Sequence, residues 1–104
     1  MMKRTLSIAL MMMLGTSAAL AQEYNRVPAS DQAQYRQCIN HANKTYEGGN
    51  EPSPIKGQNK AQAWCTCMWN ETAEDFTGNL ATFAETAKGK RINKICEKYS
   101  NWSE

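Results

Sequence analysis

In the stretch Ala63-Trp-Cys-Thr-Cys-Met-Trp-Asn-Glu71, two cysteines stand one residue apart between two tryptophans and beside Met68. Those residue types support three kinds of chemistry. A C-x-C pair can be a redox-active dithiol when one thiol is held below its ordinary pKa. Cys65, Cys67 and the Met68 thioether, with His41 in reach, would make a soft donor set for Cu(I) or zinc. Alternatively, each cysteine bonds to another elsewhere in the chain. Residues 63–71 hold no basic side chain, proline or glycine that would depress a thiol or form an exposed turn. His41 is the sole histidine and falls off the apolar stripe of its segment. The remaining cysteines are Cys38 and Cys96. On a helix, positions i and i+2 face nearly opposite ways, so Cys65 and Cys67 are not expected to bond to each other. One should take Cys38 and the other Cys96, and the spacing leaves open which takes which. Two structural disulfides are thus the preferred reading, with no cofactor, and the metal set of Cys65, Cys67 and Met68 is the alternative.

Disulfides need an oxidising compartment, and the first residues supply an address. Lys3 and Arg4 precede an apolar run from Leu6 to Leu14, and Ala19-Leu-Ala21 closes it with small residues. This is the three-part pattern of a secretory signal peptide, bacterial in style, with cleavage expected after Ala21. The protein is therefore expected in the periplasm or outside the cell. Nothing else in the chain is long and apolar enough for a membrane span. Removing 21 of the 104 residues leaves 83, starting at Gln22, and takes five of the six methionines away. It also takes two of the twelve basic residues, leaving ten against ten acidic ones. With charge balanced and both signs mixed along the chain, no basic stripe for nucleic acid or anionic lipid is expected.

The elements that must position the cysteines are helical. Asp31 fits an N-cap with Gln34 as its capping-box partner, and Tyr35, Cys38, Ile39, Ala42 and Tyr46 recur at three- and four-residue steps. That spacing predicts a helix over 31–46, stopped by Gly48-Gly49. Residues 47–57, rich in glycine and proline, read as a semi-stiff surface loop. A second helix is expected over 58–76, with Ala61, Cys65, Met68, Trp69, Thr72 and Phe76 on one side and Cys67 on the other. A short helix over 80–87 should end at Lys88-Gly89. A last helix over 90–100 carries Ile92, Ile95, Cys96 and Tyr99 on its apolar face. No alternating strand pattern and no repeat occurs. The fold class is all-α: a single domain over 22–104, a small bundle of three to four short helices stapled by two disulfides, with 22–30 as a flexible lead-in.

Only six branched aliphatics, Val27, Ile39, Ile55, Leu80, Ile92 and Ile95, lie beyond the leader, against nine aromatics. A chain this small is marginal without cross-links, and the aromatics must make up part of the core. Trp69 falls on the core side of its helix. Trp64 falls at the edge of that face, and for Trp64 and Trp102 two readings stand open, core packing or a partly exposed binding anchor. Catalysis finds little support: there is no nucleophile elbow, no paired histidines and no glycine-rich phosphate loop, and Glu71, Glu74 and Asp75 read as a solvated helix side. The triplets at Asn43, Asn70 and Asn101 match a glycosylation acceptor, which a bacterial leader makes coincidental.

The four-cysteine helical layout is similar in plan to small bacterial envelope proteins, among them immunity proteins, inhibitors and acid-stress chaperones. No motif is specific enough to carry a family, so the similarity assigns no residue roles. The expected function is a non-enzymatic exported protein that binds another protein, as an inhibitor or immunity factor would. Its contacts are expected at Asn50, Glu51, Pro52, Ser53 and Pro54, with Trp64 and Trp102. The alternatives are a metal- or redox-handling protein using the C-x-C motif, and an envelope chaperone active in acid.

Overall fold

A computed structural model describes residues 24–102; the expected leader, residues 1–21, lies outside them. A 3-10 turn, Ala29–Asp31, leads into α1, Gln32–Thr45. After a loop come α2, Lys60–Glu71, the single turn α3, Leu80–Phe83, and α4, Gly89–Ser100. Among the described residues the only extended pairing is one antiparallel bridge between Pro52 and Asn59.

α2 is the axis of the molecule and packs against all three other helices. Seven of its twelve residues are buried: Ala61, Ala63, Trp64, Cys65, Thr66, Cys67 and Met68. A helix with little polar surface at its middle has to be covered all round. Here both sides are also bonded covalently. Cys65 joins Cys38 of α1, and Cys67 joins Cys96 of α4. The opposed directions of i and i+2 thus put each sulfur against a different neighbour, and α1 and α4 flank α2.

Several boundaries differ from the periodicity, each for a local reason. Asp31 makes no side-chain cap; its Oδ2 accepts from Trp69 Nε1 at 3.0 Å instead. Gln34, expected to complete that cap, donates to the Phe76 and Gly78 carbonyls at 3.4 and 2.8 Å. The capping box belongs to α2, where Asn59 and Gln62 each accept the other's backbone N–H at 2.8 Å. α2 stops at Glu71 rather than 76, because Thr72 turns extended and its hydroxyl donates back to the Met68 carbonyl. The short helix expected over 80–87 is one turn, capped by Asn79 Oδ1, which accepts from Ala81 and Thr82 N–H.

Gly89 does not end that helix; it begins α4 and is buried. A Cβ at this position would sit 1.9 Å from the Phe83 carbonyl oxygen. Only glycine allows α4 to start that close to α3. At the other end, Asn101 adopts the left-handed conformation (φ 56°). The Asn101 N–H donates to Lys98 and the Trp102 N–H to Glu97, closing α4 in the manner of a Schellman motif.

That turn drives Trp102 inward. Its ring meets Trp64 and Tyr46 edge-on, both at 6.0 Å, a favourable arrangement for aromatic pairs. Trp64 and Trp102 are 3% and 9% exposed, so of the two readings open for them, core and surface anchor, both indoles are core rather than surface contacts. Trp69, expected in the core, is half-buried. Ile95 also departs from expectation. It lies on the outer side of α4 at 41% exposure, while Ile92 and Tyr99 are half-buried.

Residues 24–30, expected to be a flexible lead-in, are tied to the bundle. Val27 is buried, and the Tyr24 ring meets Tyr99 of α4 edge-on at 4.7 Å. The Tyr24 hydroxyl donates to the Glu71 carboxylate at the end of α2. Burial first, and then that carboxylate, push the Tyr24 phenol well above its ordinary pKa. The backbone of Asn25 both donates to and accepts from the Asn70 amide, at 3.1 and 2.9 Å.

Candidate functional site

The loop over residues 47–57 is built by groups on both helices that flank it. Glu47 leaves α1 with its carbonyl accepting from Trp102 Nε1 at 2.7 Å. Gly48 takes a positive φ of 88°, a conformation open to glycine, and the Glu51 N–H closes the turn onto its carbonyl at 3.0 Å. Gly49 is buried between α1 and α2, where a Cβ would meet Asn43 Oδ1 and the Ala61 methyl.

The loop then caps α2. The N–H groups of Lys60 and Ala61, which have no partner inside their own helix, donate to the Glu51 and Gly49 carbonyls at 2.8 and 3.0 Å. Lys60 Nζ also pairs with Glu51 Oε1 at 3.1 Å. Farther out, Ser53 holds the tip closed. Its N–H and hydroxyl both reach the Gln58 carbonyl, and its oxygen accepts from the Ile55 N–H at 3.0 Å.

This network leaves one side of the loop free. Asn50, Glu51, Pro52 and Pro54 are exposed, while Ser53 is half-buried by its own bonds. The structure thus brings together the five loop residues singled out from the sequence, and it places Trp64 and Trp102 in the packing beneath them. The two indoles contribute as foundation, through the Trp102–Glu47 bond and the Trp102–Trp64 contact, not as surface.

The four sulfurs are paired. All four cysteines are fully buried in disulfides, none is free, and Met68 is fully buried as well. Cys65, Cys67 and Met68 therefore offer no thiolate and no open donor set in the oxidised fold. Among the described residues no three of His, Cys, Asp and Glu converge as metal ligands.

Two surface features were missed by the sequence reading. One is a cleft of about 660 Å³ between the start of α1 and residues 72–80, with Trp69, Asp31 and Phe76 in its walls. It forms because α2 ends early, which periodicity did not reveal. The other is the outer face of α4. Beyond the expected leader ten basic residues balance ten acidic ones, but five of the basic ones, Lys88, Lys90, Arg91, Lys94 and Lys98, fall within eleven positions. All five are exposed. The expectation that no basic stripe exists fails for this helix, and the run Lys-Gly-Lys-Arg-Ile-Asn-Lys was the available signal.

No family model, curated protein or solved structure matches this chain. Any assignment of function must come from its own residues.

Proposed function

We propose that this chain is a small exported, non-enzymatic protein that binds another protein through the exposed side of residues 47–57. The observation that carries the reading is the double anchoring of that loop. Its backbone bonds to the first turn of α2 and to Trp102, and both helices beside it are held by the Cys38–Cys65 bond. A loop already fixed in one conformation loses little entropy on binding, and exposed loops on rigid scaffolds are where recognition concentrates. Two disulfides suit an oxidising compartment, in line with the expected leader. Among the described residues no helix is long and apolar enough to cross a membrane.

A photo-reactive side chain placed at Asn50 or Pro54 in cells should crosslink to one discrete protein. The same group at Gln37, exposed on α1, should not. Equal crosslinking from all three positions, or from Gln37 alone, would remove the loop from the interface.

A further inference from the structure

We propose that the outer face of α4 docks the protein onto a membrane surface bearing anionic phospholipid headgroups. Lys90, Lys94 and Lys98 follow one another at four-residue steps, and Arg91 and Ile95 form a second line beside them. All five are exposed, on the side opposite the buried Gly89, Cys96 and Ser100. The only acid in this stretch, Glu97, is half-buried and turned aside, where its carboxylate accepts from the Asn93 amide at 3.2 Å. The one ion pair among the described residues is Lys60–Glu51, so none of these cations is ion-paired with another described residue.

Two further observations point to an external anion. Lys90 and Arg91 occupy the first turn of α4, which holds no acidic residue. Cations there oppose the positive end of the helix dipole, an unfavourable placement. A local rule broken without an internal compensation marks a functional surface. Ile95 is also the exposed large hydrophobic side chain of the described residues, and it sits between the cations and half-buried Ile92.

A membrane surface fits this face better than an acidic protein does. The exposed part holds one large apolar side chain and presents no exposed aromatic ring. It therefore lacks the anchor that a protein partner would bury. Lysine predominates over arginine, which suits a diffuse field of phosphate headgroups more than fixed bidentate pairing. Ile95 supplies a shallow apolar insertion between flanking cations, as interfacial helices do.

The test is co-sedimentation of the full oxidised chain with vesicles of phosphatidylcholine, with or without phosphatidylglycerol. Binding is expected to the anionic vesicles alone and should be lost between about 0.05 and 0.5 M NaCl as the Debye length shrinks. Lys94→Gln and Lys98→Gln should each weaken it about fivefold, with unchanged helicity and no free thiol. Equal binding to neutral vesicles, no binding at low salt, or unchanged binding by the double variant would overturn the proposal. Salt-sensitive binding to polyglutamate, with anionic vesicles left unbound, would also overturn it and give the face to an acidic protein.

Discussion

α2 and α4 are the same length, twelve residues, and are bonded to each other through Cys67 and Cys96, yet they use their residues in opposite ways. α2 faces protein on every side: seven positions are buried and its one lysine is paired with Glu51. α4 buries three positions, and its outer side carries exposed charge with no ion-pair partner among the described residues. Substitutions in α2 should therefore register as stability. In α4 they should divide sharply by face, the inner side behaving like α2 and the outer side registering only where the protein meets a partner or surface.

The largest effect should come from separating the two helices. Cys67→Ala with Cys96→Ala opens a cross-link that spans 29 residues and should cost about 3–4 kcal/mol in urea unfolding. A loss below about 1 kcal/mol would mean that packing alone holds α4 on α2.

Gly89→Ala comes next and tests the inner side of α4 by its sign. Elsewhere in a helix this change stabilises by about 0.5–1 kcal/mol. Here the added methyl meets the Phe83 carbonyl, so a loss of about 2 kcal/mol or more is expected in thermal melts. Asn93→Ala removes the acceptor for Trp64 Nε1, which lies at 3.0 Å. The indole N–H is left buried without a partner, at a cost of about 1–2 kcal/mol.

Tyr24 touches both helices, through Glu71 and Tyr99. Its phenol pKa is raised on folding, so the proton is held more tightly in the folded chain. Its contribution is fully present below about pH 10 and is lost as pH rises toward the folded value. Tyr24→Phe should flatten the alkaline end of the stability profile, and a profile identical to that of the wild type would deny the coupling. The smallest effect belongs to the outer side: Lys94→Gln with Lys98→Gln should change stability by no more than about 0.5 kcal/mol. A larger loss would show these side chains to be structural.

Local pattern carried the helical class, the four-cysteine framework and the loop over 47–57, because each depends on residues close in sequence. Asp31 and Asn59 show where such reading stops. Both precede a glutamine by three positions, and both offer the same capping signal. Asn59 uses it. Asp31 and Gln34 are drawn off by Trp69, Phe76 and Gly78, which lie about forty residues away in the chain. Gly89 is similar, since its reason to be glycine is the Phe83 carbonyl and not the end of a helix. The partners of Cys65 and Cys67 were undecided because α2 is covered on both sides, so facing alone could not rank them. For the candidate site, the loop residues were legible, while the burial of Trp64 and Trp102 depends on a turn at Asn101. The basic face of α4 was hidden by summing charge over the chain.

The two disulfides follow one another along the polypeptide, Cys38 with Cys65 and Cys67 with Cys96, neither nested nor crossed. Both cysteines of the first ring precede both cysteines of the second in the chain. For a chain delivered from its N-terminus into an oxidising space, pairing in order of arrival already yields the native connectivity, and no correct bond has to be undone. The single threonine between Cys65 and Cys67 is where one ring ends and the next begins, so assembly can run in the direction of synthesis.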